Sequence, residues 1–379
     1  MKFDYFLFMT GDPKRPYHAL LGEATDQVKK AESLGFEIAW TSEHHFGGEG
    51  FDIQPNPILT AAHLARYTTK IRLGFAAVIL PEWHPLRLAE DIAFLDQSTA
   101  GRVECALGKG ITNREISNLT SFDVDRRFPN AGNAIFRETL EILLAAWTTD
   151  SLRFDGNYYQ FPRPGVDDSY AAWYPRNPAW RDENGKYVGI NVVPKPYQKP
   201  HPRLWIVGDS TETFQTAAQY DLRPITWLRS RRALLECLEL YRSIQSNRHG
   251  RDLRLGENCA LLRTCVIAPT RSQAREIAEP AVESMYRDYL GGLRGRSIYA
   301  DPGEQLSDSE NGQSWFDFLD DRGHLMVGTP DDVCEQIADL RDTCGLDRIL
   351  LFMSLPGITH SDTMSSIQLF GEKVLPKFI

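Results

Sequence analysis

Eight short runs rich in aliphatic, aromatic and β-branched residues recur along the chain, separated by helical patterns or longer insertions. They are FDYFLFM (3–9), EIAWTS (37–42), IRLGFAAVIL (71–80), RVECALG (102–108), RLWIVG (203–208), PITWL (224–228), LLRTCVIA (261–268) and RILLFMS (348–354). Most are almost continuously apolar, as parallel strands covered on both faces must be. The stretches between them have helical periodicity. ATDQVKKAESLGF sets Val28, Ala31 and Leu34 on one face and stops at Gly35, and HPLRLAEDIAFLDQSTAG repeats the pattern with Leu86, Ala89, Ala93 and Leu95. GNAIFRETLEILLAAW is a third such segment. TPDDVCEQIADLRDTCG is the last, with Asp331 and Asp332 in the first turn, where the helix dipole favours negative charge. Strands alternating with helices imply a parallel sheet with right-handed crossovers. Eight repeats favour a closed α/β barrel, (β/α)8 or TIM, over an open doubly wound sheet. The absence of GxGxxG after the first strand weighs the same way.

A plain barrel takes about 250 residues, so a chain of 379 carries well over a hundred more. Two non-periodic segments rich in turn residues account for many of them. They are 155–189, after the fourth strand, and 290–323, after the seventh. Both belong near the C-terminal ends of the strands, where long loops serve as lids. The expectation is one domain, 1–379, with these two insertions.

Composition bounds the partners. Asp and Glu total 51 against 42 Lys and Arg, without the basic stripe a nucleic-acid binder displays. The six cysteines (105, 237, 259, 265, 334, 344) show no CxxC pair and no zinc spacing, which suits reduced, buried thiols in a cytoplasmic protein. No run approaches the ~20 apolar residues that cross a bilayer, and the first apolar stretch is too short and too interrupted by Asp4 for a signal peptide.

In such a barrel the active site lies at the C-terminal ends of the strands. Read there, the second run ends in Glu43-His44-His45-Phe46, the third in Ala76-Ala77 and the fourth in Gly108-Lys109-Gly110. The fifth ends in Gly208-Asp209-Ser210-Thr211-Glu212-Thr213 and the sixth at Trp227. Adjacent histidines on a strand point to opposite faces, so His44 and His45 do not easily hold one metal ion together. A metal site is therefore the weakest of three readings for the cluster, behind acid–base chemistry and packing. The helix start at Asp209–Thr213, with Lys109, suits a phosphate. The plainer alternative is that Asp209 or Ser210 only caps the helix.

At this point the chain resembles the bacterial luciferase-like, flavin-dependent monooxygenases. The resemblance is carried by MKFDYFLF, AESLGFEIAWTSEHHF, IRLGFAAVILPEWHPLRLAEDIAFLDQSTAGRVECALGKG, VVPKPYQKPHPRLWIVGDS and the ending VGTPDDVCEQI…FGEKVLPKF. It implies a barrel that binds reduced FMN delivered by a separate reductase. Dioxygen would add to the flavin as a 4a-hydroperoxide, which then oxidises a small organic substrate, hydrophobic or aromatic.

The resemblance also assigns residues. His44 takes the catalytic acid–base role, and His45 faces the interface of a homodimer with Glu90 of the partner's third helix. Ala76 and Ala77 are joined by a cis peptide under the flavin ring. Lys109, Val207, Asp209, Ser210 and Thr213 hold the phosphate, Asp209 through its backbone amide. Phe6, Phe8 and Trp227 join the two alanines as apolar walls that keep water from the flavin adduct, with 290–323 as a lid that orders on ligand binding. Gly108 replaces the luciferase α subunit's reactive cysteine. A second phosphate arginine has no firm match among Arg126, Arg127 and Arg137. The 155–189 insertion, with Tyr170, Trp173, Tyr174 and Trp180, exceeds what luciferases carry, and fits either a substrate wall or a dimer contact. These departures disfavour light emission and a long-chain aldehyde substrate. A deazaflavin-dependent dehydrogenase or reductase of the same fold and a non-catalytic flavin-binding subunit are the alternatives.

Overall fold

The computed structural model describes residues 1–12, 14–122, 132–166, 177–291 and 295–379. Its strands are β1 (Lys2–Leu7), β2 (Ile38–Thr41), β3 (Arg72–Ile79), β4 (Val103–Gly108), β5 (Phe154–Asp155), β6 (Gln160–Phe161), β7 (Arg203–Val207), β8 (Arg223–Thr226), β9 (Ala260–Ile267), β10 (Leu325–Gly328) and β11 (Arg348–Phe352). The eight apolar runs correspond to β1, β2, β3, β4, β7, β8, β9 and β11. In that order each is the neighbour of the next, and β11 returns to β1, closing a (β/α)8 barrel. Two features were not legible as strands. One is the β5–β6 hairpin, with two residues a side, and the other is β10, four residues paired with the end of β9.

The chain divides into two compact units, Met1–Ala77 with Leu204–Ile379, and Val78–Arg203. In the first, in-register neighbours share a face of the sheet. Asp4 lies on the same face of β1 as Phe6, and Phe6 is aligned with Trp40 and Phe352. Near the strand starts Asp4 is fully buried, accepts from the Trp40 indole at 2.8 Å and pairs with Arg348 at 2.5 Å. Trp40 packs edge-on against Trp205, ring centres 5.6 Å apart. Next to it Gly74 leaves space that only glycine can, since a Cβ there would sit 2.3 Å from the Trp40 ring. The first helix obeys its predicted stop signal, Tyr17–Leu34 ending at Gly35, and Pro330–Cys344 ends likewise at Gly345, both glycines left-handed. Thr329 and Asp332 form a capping box on the latter.

The segment expected as a lid belongs to this unit. Among its described residues, helices Asp308–Gly312 and Trp315–Asp321 are capped by Ser307 and Ser314. Trp315, Phe316 and Phe318 are buried, and Arg296 lies over the rings of Trp315 and Phe318. Its Gly, Asp and Ser content therefore marks helix caps and turns around a packed aromatic cluster rather than an open loop.

In the second unit helices Pro85–Ser98 and Asn133–Thr148 are tied by the Trp147 indole, which donates to the Ala89 carbonyl at 3.0 Å. Glu138 accepts from the amides of Asn157, Tyr158 and Tyr159 and so fastens the β5–β6 hairpin to the second helix. The described part of the 155–189 insertion thus has its own hydrogen-bonded frame, closed by bridges Leu152–Ile190 and Arg181–Tyr187. Arg126, Arg127, Tyr170, Trp173 and Tyr174 lie outside the described residues. All six cysteines are free thiols, five of them buried. No described helix is long and apolar enough to cross a membrane.

Candidate active site

Beyond β2 the chain turns back on itself. Phe46 takes a left-handed backbone (φ 60°), and Gly47 approaches so closely that a Cβ would stand 2.1 Å from the Asp52 carbonyl oxygen. The returning segment is pinned to the residues that follow β1 and β2. Ile53 N donates to Met9 O at 3.0 Å, Gly11 N to Gly50 O at 3.0 Å and His44 N to Gln54 O at 3.0 Å.

This fold-back separates the three polar residues of EHH. His45 Nε2 lies 3.2 Å from Glu43 Oε1, and Glu43 is buried, so two residues on one side of the strand pair with each other. His44 faces the other way. Its Nε2 stands 3.9 Å from Oδ2 of the buried Asp52, and its ring meets the edge of Tyr289 at 6.4 Å, with Phe51 stacked on Tyr289 at 5.1 Å. Asp52 was not singled out from sequence: an acid eight residues beyond His44, in a glycine-rich turn that also carries Glu49, shows no period that would flag it.

The apolar walls assemble at the ends of β1, β8 and β11. Phe6 and Phe8 stack with ring centres 6.4 Å apart and both contact Phe352, at 5.5 and 5.1 Å. Trp227 joins the group at 6.0 Å from Phe352 and 5.9 Å from Tyr286. Phe352 and Tyr286 are additions the sequence reading did not make. On β3, Ala77 is buried, Ala76 is half-buried, and the peptide bond between them is cis.

The turn after β7 is the second polar centre. Val207 ends β7 half-buried. Ser210 caps the helix Thr211–Tyr220, accepting from Thr213 N at 3.1 Å and lying 2.9 Å from the Thr213 hydroxyl. The Asp209 carboxylate points elsewhere: Oδ1 accepts from the Thr226 hydroxyl at 2.7 Å and from the amides of Trp227 and Leu228 at 2.8 and 3.0 Å. Its charge is therefore consumed by the end of β8 instead of facing the helix start. The Asp209 carbonyl receives the Arg229 guanidinium, a cation at this turn that sequence spacing gave no reason to choose.

Lys109 follows β4 in the second unit, its ammonium 5.7 Å from the centre of the Phe136 ring. Glu90 is half-buried on the helix Pro85–Ser98, 3.6 Å from Arg87.

The model of a family described as luciferase-like monooxygenase matches residues 1–347. The chain is 26% identical to the alkanal monooxygenase alpha chain of the Kryptophanaron alfredi symbiont, over 99% of this chain and 98% of that one. Among solved structures it resembles the oxygenating constituent of 3,6-diketocamphane monooxygenase from Pseudomonas putida, a type II Baeyer–Villiger enzyme in complex with FMN. That match has a TM-score of 0.77 and 22% identity, over 100% and 99% of the two chains. It also resembles the coenzyme F420 dependent tetrahydromethanopterin reductase from Methanopyrus kandleri, with TM-score 0.67 and 16% identity over 100% and 99%.

Proposed function

This chain belongs to the luciferase-like monooxygenase family, and from that premise we propose that it is a reduced-FMN-dependent monooxygenase served by a separate reductase. The observation that carries the cofactor assignment is the turn after β7. With the Asp209 carboxylate bound to Thr226, Trp227 and Leu228, a helix N-terminus and the mutually bonded Ser210–Thr213 hydroxyl pair, with one O–H still to donate, remain there to receive a phosphate, with Arg229 beside them. A terminal phosphate is what FMN has and riboflavin lacks. Val207 and the Asp209 amide complete this set, and Lys109 is added on the sequence resemblance.

Reduced flavin supplies the electrons that activate dioxygen. The protein's part is to exclude water and to manage a proton. Phe6, Phe8, Ala76, Ala77, Trp227 and Phe352 make apolar surroundings that would keep water from a reduced flavin held there. His44, at the end of β2 beside a buried carboxylate, is the acid–base group. The substrate is a small organic molecule of hydrophobic or aromatic character. Hydroxylation, Baeyer–Villiger insertion and oxidative cleavage are the reactions this arrangement serves. The molecule acts as a homodimer in the cytoplasm, with His45 and Glu90 near the contact.

Reduced FMN mixed with the protein in aerated buffer tests this. Bound flavin should reoxidise with kinetics distinct from those of free flavin. His44→Gln should lower substrate oxygenation by about 10²–10⁴-fold while reduced FMN binds within a few-fold of the parent. Reoxidation at the free-flavin rate would sink the reading. The likeness to an F420 dependent reductase favours a second reading, hydride transfer with a deazaflavin, which predicts tight F420 binding and no oxygen uptake.

A further inference from the structure

We infer that Asp52 is the positioning residue of His44, its carboxylate fixing the neutral imidazole with the proton on Nε2 and leaving Nδ1 as the basic atom. The inference rests on the acid–base reading of His44 and extends it to a named partner.

Three observations carry it. Asp52 is buried, 2% exposed, and the fold-back holds it there: its Oδ1 accepts from Gln54 N at 3.2 Å, and the Gln54 carbonyl accepts from His44 N. The same three residues therefore fix both the carboxylate and the backbone of the histidine. Second, Oδ2 lies 3.9 Å from Nε2, within ion-pair range. A carboxylate opposite one ring nitrogen sets which nitrogen carries the proton and favours the doubly protonated ring.

Third, the neighbourhood is polar where a packing role would make it apolar. Ser42 Oγ and both amide atoms of Gln54 are buried without hydrogen-bond partners among the described residues. Buried groups in that condition are uncommon in a packed interior. Here they occupy the strand end that precedes His44 and the loop that returns beneath it.

The groups that face this pair come from three elements. Tyr289, in the segment Glu283–Tyr289, meets the His44 ring edge-on. Tyr17 opens the first helix, and burial, then the negative charge of Asp52, pushes its hydroxyl upward. Glu43 and His45 pair with each other at 3.2 Å. Asp52 is the carboxylate whose distance to the His44 ring, 3.9 Å, puts the two in ion-pair range.

Asp52 forms no bond in the reaction. It orients the ring, so that a proton leaving the reacting centre is taken up at Nδ1 and returned from there, while Nε2–H stays toward Asp52.

The test is ¹⁵N-histidine NMR of the purified full chain without added flavin, for the parent, Asp52→Asn and Asp52→Glu. Parent His44 is expected in the Nε2–H form when neutral. Asp52→Asn should lower its titration midpoint by about one pH unit and erase the tautomer preference, and Asp52→Glu should restore both in part. In turnover the kcat–pH profile should shift the same way, with reduced-FMN binding within a few-fold. An Nδ1–H tautomer in the parent overturns the proposal, and that result is available even if Asp52→Asn fails to fold. An unchanged midpoint in a folded Asp52→Asn also overturns it. The NMR shift without any reduced-flavin chemistry supports the Asp52–His44 pairing and overturns the monooxygenase reading.

Discussion

At the scale of single residues, Asp4 shows how a charged group is kept inside this barrel. Burial pushes its carboxyl up to about 6, against the opposing effects of the Arg348 guanidinium and the Trp40 indole. Arg348 bonds Asp4 with one nitrogen and Glu37, at 2.8 Å, with another. A carboxyl whose folded pKa lies above its unfolded value adds stability below the unfolded value, near 3.8, and loses it as pH rises through about 6. Removing the cation should steepen this. Arg348→Met is expected to cost about 3–5 kcal/mol at pH 7, the range for breaking a buried pair. Less should be lost below pH 5, where Asp4 is protonated with or without its partner. Urea unfolding at pH 4.5 and 7 checks this, and an equal loss at both values would contradict it.

At the scale of elements, strand β3 and the helix after β7 each turn on one small residue. Gly74 lies flat against Trp40, which is itself anchored by Asp4 and Trp205. With its neighbour held on two sides, Gly74→Ala should destabilise by about 1–3 kcal/mol, the usual cost of overpacking, read as a lower urea midpoint. No change would mean that the tryptophan is freer than its contacts imply. Ser210 has two parts in the account, helix cap and phosphate ligand. Ser210→Ala should cost about 1 kcal/mol of stability. It should also weaken reduced FMN more than reduced riboflavin in anaerobic fluorescence titrations. Equal weakening of both flavins would leave only the cap.

Across the whole molecule, the barrel was legible because parallel strands buried on both faces read as unbroken apolar runs, as RLWIVG and RILLFMS do. Four-residue β10 and the two-residue strands of the hairpin carry too little pattern to be seen. The EHH cluster was legible by position, since a strand end in such a barrel faces the site. What it pairs with was not. Asp52, Arg229 and Phe352 meet their partners through a glycine-rich fold-back, a loop carbonyl and the pairing of the last strand with the first, none of which leaves a local period. The two short helices within 290–323 were not legible, because composition cannot tell serines that cap helices from serines in open loop.

The central claim is that these parts hold reduced FMN by its phosphate for use with dioxygen. Anaerobic competition among reduced FMN, reduced riboflavin and reduced F420 for the full chain tests it most directly. The account predicts that reduced FMN binds most tightly, with riboflavin at least about tenfold weaker, as the loss of charge-assisted bonds to a phosphate requires. Preference for F420, or equal affinity for FMN and riboflavin, would contradict it.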